Sequence, residues 1–129
     1  METAALLVTA SLFGGMVLYS FGFAAFLFSS LPAETAGPLL RRAFPHFYLL
    51  VIGASLLAAG LLIRIDPLSA GVMTAIALTT VPTRQVLMPA INAATDRGQG
   101  TTFKYLHGLS VLVTLGHIIG TAIVLARFL

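Results

Sequence analysis

Four long apolar stretches occupy nearly the whole chain and constrain its fold more than any other feature. They run approximately over residues 4–28, 47–63, 68–89 and 103–128. A helix needs about 20 predominantly apolar residues to cross a hydrocarbon core of about 30 Å, and each stretch comes near that length. Because the connections between them are short, consecutive helices should be antiparallel neighbours. We therefore predict an all-α fold, an integral membrane four-helix antiparallel bundle.

The composition favours the same environment. Apolar residues make up 58% of the 129 residues, charged residues 9%, and the mean hydropathy is +1.01. Charged residues make up about a quarter of an ordinary soluble chain, so this chain has too little polar surface to cover a water-soluble globule. Its length predicts a single four-span domain over residues 1–129. The first stretch is too long for a signal-peptide core and lacks a basic start, so we expect it to be retained.

Several classes of function lack the residues that they require. The chain has no cysteine, which excludes disulfides, thiolate metal sites and thiol nucleophiles. No nucleophile is paired with a base and no carboxylates are paired, so we predict no enzymatic activity. The only basic cluster is Arg41-Arg42, which is too small to indicate nucleic-acid binding. The expected partners are the lipid bilayer and either a second copy or a larger membrane complex.

The distribution of Lys and Arg predicts the orientation. The linkers over residues 29–45 and 91–102 lie on the same side of the predicted bundle, with Arg41, Arg42, Arg97 and Lys104 in or beside them. The other side receives only Arg64 and Arg127. Because positive charge is retained on the cytoplasmic side, we expect these linkers in the cytoplasm and both termini outside a bacterial inner membrane.

Turn-forming residues separate the predicted spans. The residues 34–44 that follow the first turn have two interpretations: a short helix at the interface with Arg41 and Arg42 toward lipid phosphates, or an ordinary polar linker. The expected breaks are at Leu31-Pro32, Gly37-Pro38, Asp66-Pro67 and the run from Asp96 to Gly100.

Polar residues of the fourth span share one face. At about 100° per residue they form a stripe about 80° wide, and polar groups in hydrocarbon are expensive enough to suggest function. The ordinary alternative is that they make interhelical hydrogen bonds, each worth about 0.6 kcal/mol. Gly116 and Gly120 lie on a neighbouring face suited to close helix packing, as we also expect of Gly15 and Gly22. The stripe contains His107, Ser110, Thr114, His117 and Thr121.

The third span carries a second polar group. Thr83 and Arg84 follow Pro82, which cannot donate to the carbonyl of Leu78 and should distort the helix. His46 opens the second span and His107 lies near the start of the fourth, so both can reach the depth of Arg84. These three cations, with Asn92 and Glu34 nearby, are the best candidate site. His46 alone is also consistent with an ordinary interfacial residue.

Short runs along most of the chain form a recognisable pattern. They are Gly15-Met16, Phe26 to Pro32, Glu34 to Gly37, Phe44 to Tyr48, Arg84, Pro89, Phe103 to Tyr105 and His107 to Ser110. This pattern resembles the transmembrane protein 205 family, whose bacterial members carry a domain of unknown function, DUF4149. The resemblance implies a four-span membrane protein and no settled activity, and its motif positions do not include His46 or His117. The motif positions that it implies are Pro32, Phe44, Pro45, Arg84, Pro89 and His107.

Three hypotheses follow from these observations. The first is an interaction or accessory module that packs with itself or with a larger membrane complex. The second is a small-solute or ion transporter with a polar route lined by Arg84, His107 and His117. The third is a haem b protein with His46 and His107 as axial ligands, which requires facing geometry. Outside this haem alternative we predict no cofactor, and no ligand spacing indicates a metal.

Overall fold

Four helical rods make up the fold in a computed structural model that describes all residues, 1–129. The first rod, Glu2–Ser30, joins two α-helices through a π-helical stretch, and the second is one α-helix, Ala33–Leu62. The third rod also contains a π-helical stretch, and the fourth is the α-helix Gly100–Ala126. The pieces of the first rod are Glu2–Val17, Leu18–Phe23 and Ala24–Ser30; those of the third are Pro67–Pro82, Thr83–Leu87 and Met88–Asp96.

Two predicted linkers are wrong, because both segments are helical. Residues 33–45 continue directly into the second helix, so they form neither a separate interfacial helix nor a polar linker. Gly37-Pro38 does not break the helix: Pro38 lies near its start, and Pro45 removes only the bond to the carbonyl of Arg41. Likewise, the third rod continues to Asp96 and leaves a turn of residues 97–99. A helix keeps its backbone bonds internal, which apolar surroundings favour.

The remaining turns follow the predicted breaks. Asp66 caps the third rod by accepting a hydrogen bond from the backbone N–H of Ser69 at 3.4 Å, and Pro67 occupies the first helical position. Proline is well suited to that position because its missing N–H would have no helical partner there. Gly98 has φ +64°, a left-handed conformation that costs other residues free energy.

The core lies between the helices, while their outer faces are apolar and exposed. The second helix packs mainly against the first and third rods, and the fourth helix also packs mainly against these two. Met16, Val51, Leu62, Met73 and Val124 are among the buried core side chains. Three rods are long and apolar enough to cross a membrane: the first, second and fourth. The third rod is not among them, which leaves the predicted four-span count open.

Candidate functional site

Arg84 connects the third rod to the second helix. It is partly buried in the π-helical stretch that follows Pro82. Its Nε donates to the backbone carbonyl of Pro45 at 3.1 Å, and its Nη1 donates to Oε1 of Gln85 at 2.8 Å. A guanidinium has five N–H donors. The two bonds therefore leave three N–H donors of Arg84 without a protein partner.

Prolines explain the irregular backbone around Arg84. Pro82 and Pro89 lie on either side of the stretch Thr83–Leu87, and neither can donate a backbone hydrogen bond to the preceding turn. The interruption expected at Pro82 takes the form of a π-helical stretch, a distortion that is frequent at functional sites. Thr83 is buried and donates to the carbonyl of Thr79 at 2.8 Å.

Aromatic rings hold the backbone around Pro45 against the first rod. Tyr19, in the π-helical stretch Leu18–Phe23, stacks on Phe47 with a centroid distance of 4.6 Å and an interplanar angle of 1°. Phe44 meets Tyr19 edge-on at 5.4 Å. Such aromatic pairs add stabilisation beyond their buried area. Phe44 and Phe47 lie on either side of Pro45 in the second helix. Their packing against Tyr19 therefore holds the Pro45 carbonyl, to which Arg84 donates, in position.

A second arginine connects the same two helices nearer the solvent. Nη2 of Arg41 donates to the backbone carbonyl of Asn92 at 3.2 Å and to Oδ1 of Asp96 at 3.0 Å. Both charged side chains are exposed. The second helix and the third rod are thus joined by two arginines. Arg41 donates from the second helix to the third rod, and Arg84 donates in the opposite direction. Glu34 is exposed and makes no side-chain hydrogen bond in the structure.

The two histidines of the predicted constellation differ in their relation to Arg84. His46 is exposed and follows Pro45, so it lies one residue from the carbonyl that Arg84 binds. His107 is exposed on the fourth helix, where its ring stacks on Phe103 at 5.4 Å. Neither imidazole makes a hydrogen bond, and no group of three His, Cys, Asp or Glu residues is placed to hold a metal ion. The structure brings Arg84 to the backbone beside His46 but shows no bond from His107 to either.

Most of the polar stripe on the fourth helix is bonded within the chain. The Ser110 hydroxyl donates to the carbonyl of His107, and the Thr121 hydroxyl donates to that of His117, each at 2.7 Å. Nε2 of His117 lies 2.7 Å from Oγ1 of Thr79. Thr114 is partly buried and makes no side-chain hydrogen bond.

The Thr79 hydroxyl also lies 2.7 Å from the carbonyl oxygen of Ala75 in its own helix, to which it can donate. When it does, Nε2 of His117 donates to Oγ1 of Thr79; in the other tautomer, the unprotonated Nε2 accepts from the hydroxyl. The contact is an interhelical hydrogen bond of the ordinary kind expected for this stripe.

Of the four glycines predicted to pack, only Gly120 meets another helix. A Cβ at Gly120 would lie 3.4 Å from Cγ1 of Val72 in the third rod. At Gly15 and Gly116 a Cβ would meet nothing within 4 Å, and at Gly22 it would meet only Leu18 of the same rod. Gly116 is also exposed. The close-approach surface around Gly116 is therefore not used inside the chain.

An ion pair at the opposite end of the bundle has no counterpart among the predicted sites. Arg127 donates through Nε to Oδ2 of Asp66 at 2.6 Å and through Nη2 to Oδ1 at 3.0 Å. The Ser69 hydroxyl donates to Oδ2 at 2.6 Å. The hydrogen bonding of Arg127 contributes most, followed by that of Ser69, and together they hold the pKa of Asp66 well below its usual range. The Asp66-Pro67 turn signals the cap, but no sequence pattern links Asp66 to a residue 61 positions away.

A small cavity adjoins this ion pair and locates three chain segments. It measures about 290 Å³ and is lined by Glu2, Ser69, Asp66 and Phe128 among others. The chain start, the turn between the second and third rods, and the chain end therefore meet at one end of the bundle. We call this region the Asp66 end, and the region of Arg41, Pro45, Arg84 and Asp96 the Arg84 end.

The fold and its bonded polar groups define a class of protein: an all-helical bundle with helices apolar enough to cross a membrane. Within that class, residues 7–100 match the family described as a domain of unknown function, DUF4149, and the chain belongs to this family. The matched region includes Pro45, Arg84 and Pro89 but not His107. No curated protein and no solved structure matches the chain.

Proposed function

We propose that this protein is a four-span integral membrane protein whose third rod crosses the bilayer with the other three. The rods expose large apolar side chains outward, including Leu78 of the third rod with 66% of its surface exposed. The meeting of both chain ends with the turn at Asp66 also supports four crossings, since it requires each rod to run the length of the bundle. In this arrangement consecutive rods are antiparallel and both termini lie on one side.

In this proposal both termini lie outside a bacterial inner membrane, which the distribution of basic residues supports. Arg41, Arg42, Arg97 and Lys104 all lie at the Arg84 end or beside its turn. Positive charge is retained in the cytoplasm, so the Arg84 end faces the cytoplasm. The naming after the transmembrane protein 205 family stays a prediction from the motif pieces.

The role that we propose is that of a non-enzymatic interaction module, an accessory protein that packs with itself or with a larger membrane complex. One observation carries this proposal: the fourth helix presents an exposed apolar face with an unoccupied glycine at its centre. Leu112 is 67% exposed, Ile119 59% and Ile123 54%, and all share a face with Gly116 at helical spacing. Small residues in such a face let a second membrane helix approach closely.

The test compares Gly116→Leu with Gly71→Leu. Both glycines are exposed, and a Cβ at either meets nothing within 4 Å, so both variants should keep the internal packing. We expect Gly116→Leu to abolish association in membranes, measured by energy transfer between labelled copies and by co-purification of native partners. Gly71→Leu should behave as the wild type. A Gly116→Leu protein that co-purifies and migrates unchanged would contradict the proposal.

Transport of a small anion is the second candidate, supported by the three unpartnered N–H donors of Arg84. The polar route would continue past His107 and His117. The bond between His117 and Thr79 weighs against it, because the imidazole at mid-route is already engaged. We expect His117→Ala to leave anion flux into vesicles unchanged; a changed flux in a folded variant would favour transport.

The haem alternative needs His46 and His107 to face one plane from opposite sides. They lie on the second and fourth helices, each of which packs mainly against the first and third rods. An absorption spectrum of the purified protein tests this hypothesis directly. A Soret band that His107→Ala removes would support the haem alternative over the other two.

A further inference from the structure

A lateral groove runs between the first rod and the second helix, away from the exposed face of the fourth helix. It measures about 520 Å³ and is open to the surroundings along its length. Gly53 leaves open space in it, because the residue is exposed and a Cβ at this position would meet nothing within 4 Å. The lining is apolar except for one hydroxyl: Leu7, Val8 and Ser11 face Leu50, Gly53 and Leu57.

Two basic residues lie on the same helix face as the groove. At about 100° per residue, Arg42, His46, Gly53 and Leu57 fall within about 60° of one another. The helix is continuous over this range. At a rise of 1.5 Å per residue, Arg42 lies about 16 Å along the axis from Gly53. The groove lining on this helix ends at Leu49, and Arg42 and His46 lie beyond it toward the Arg84 end.

Arg42 and His46 have no bonding partner within the chain. Arg42 and His46 are exposed, and neither makes a side-chain hydrogen bond or an ion pair. The neighbouring arginines differ, since Arg41 is paired with Asp96 and Arg84 donates to Pro45. Arg42 and His46 are thus the unpartnered basic side chains on the face of the second helix that lines the groove.

We propose that the groove binds one acyl chain of an anionic phospholipid, with the phosphate at Arg42 and His46. A lipid tail of one leaflet extends about 15 Å, half of the hydrocarbon core, which matches the separation of Arg42 from Gly53. Basic residues near the membrane surface attract anionic lipids. The ligand chemistry is thus a phosphodiester headgroup joined to an acyl tail.

Charge favours a lipid over a second copy as the occupant. Two copies that paired through this groove about an axis normal to the membrane would bring like positions together. Arg42 of one copy would then face Arg42 of the other. Such like-charge contacts oppose pairing, whereas a phosphate neutralises them.

Tryptophan fluorescence can report the occupant, because the chain contains no tryptophan. Leu50→Trp places a reporter in the groove, and Leu78→Trp places a control on an exposed face of the third rod. Each protein is reconstituted with phosphatidylglycerol or phosphatidylcholine carrying brominated acyl chains, which quench a tryptophan that they touch. At Leu50→Trp we expect phosphatidylglycerol to compete about fivefold better than phosphatidylcholine. The control should show no preference.

Paired variants then locate the headgroup and the tail. Arg42→Gln should abolish the preference, whereas Arg64→Gln, an exposed cation beyond the other end of the same helix, should not. Gly53→Leu should reduce quenching in the groove, whereas Gly71→Leu should leave it unchanged. Helical circular dichroism verifies that each variant is folded.

Three results would overturn the proposal. Equal loss of preference in Arg42→Gln and Arg64→Gln would show general surface attraction in place of a site. Unchanged quenching in a folded Gly53→Leu protein would exclude the groove as the tail site. A groove tryptophan that no brominated lipid quenches, together with a dimeric native mass, would show that a second copy covers it.

Discussion

The two ends of the bundle hold their charged groups in different ways. At the Asp66 end, one carboxylate is matched by the guanidinium of Arg127 and the hydroxyl of Ser69. At the Arg84 end, cations exceed carboxylates, and Arg84 bonds to a backbone carbonyl instead. The carboxylate of the first end is thus paired with a guanidinium, whereas Arg84 at the second end is bonded only to neutral oxygens. The ion pair joins two chain segments, and an arginine without a carboxylate partner suits the binding of an anionic group.

The helical backbone is also more regular at the Asp66 end than at the Arg84 end. Pro67, at the Asp66 end, occupies the first position of a helix, where proline has no cost. Pro38, Pro45, Pro82 and Pro89 lie inside helical rods toward the Arg84 end, where each removes a backbone donor. Irregular backbone in a membrane is tolerated where it is buried in protein or lines a cavity. The irregular backbone of this chain is therefore concentrated toward the Arg84 end.

We expect Asp66→Ala to have the largest effect on stability. It removes the paired carboxylate of the Asp66 end and so tests the difference between the two ends. It removes the helix cap, the Ser69 hydroxyl bond and both bonds of Arg127 at once. We expect the largest fall in thermal midpoint among the variants considered, measured by circular dichroism in mild detergent. Asp96→Ala, which loses only the exposed contact with Arg41, is the control. Equal midpoints for the two variants would show that the ends are not different.

The same carboxylate should make stability depend on pH. Because the pKa of Asp66 is lowered in the folded protein, the carboxylate stabilises the fold at neutral pH. That contribution is lost as the pH falls from about 5 toward the lowered folded pKa. We expect the thermal midpoint to decline over this acid range and the decline to be smaller in Asp66→Asn. Parallel curves for the two proteins would assign the pH dependence to other groups.

Arg84→Leu tests the contact at the Arg84 end. Loss of its charged hydrogen bond to the Pro45 carbonyl should cost about 2 kcal/mol. Denaturant-induced unfolding in detergent micelles measures this change in the free energy of unfolding. Arg64→Leu is the control, since Arg64 is exposed and makes no hydrogen bond or ion pair. A loss no larger than that of the control would mean that the bond to Pro45 is energetically neutral.

Gly98→Ala sharpens the role of the turn at the Arg84 end. A side chain at φ +64° should cost about 1 kcal/mol. Gly100→Ala provides the comparison, because Gly100 begins a helix and a Cβ there meets nothing within 4 Å. Thermal denaturation of both variants in one detergent decides the matter. Similar midpoints would indicate that the turn relaxes around the added methyl group without strain.

Arg41→Gln should have the smallest effect. An exposed ion pair such as that with Asp96 contributes about 0.5 kcal/mol, and salt should reduce even that. Unfolding at low and high ionic strength measures both quantities, with the unpaired Arg42→Gln as control. A large loss that salt does not change would show that the bond to the Asn92 carbonyl carries the contact.

The apolar runs predict the helical content and most of the turns, but not the helix boundaries. Hydropathy places residues 33–45 outside the second span because they contain two prolines and three charged residues. Hydropathy identifies the residues that suit a hydrocarbon core. A helix, however, extends as far as its backbone hydrogen bonds continue, including into polar residues. For the same reason the sequence locates Arg84 as a candidate but not its partner, the Pro45 carbonyl, which has no residue-type signal.

By itself, the sequence determined the class of this protein: a chain with so much apolar surface and so few charges must bury helices in a bilayer or in one another. It also determined which polar residues lie within the rods. Only the tertiary structure decided that Arg127 pairs with Asp66, that His117 and Thr79 share a hydrogen bond and that Gly116 is open while Gly120 is packed. These contacts depend on how the rods rotate and slide against one another, which short-range periodicity does not specify.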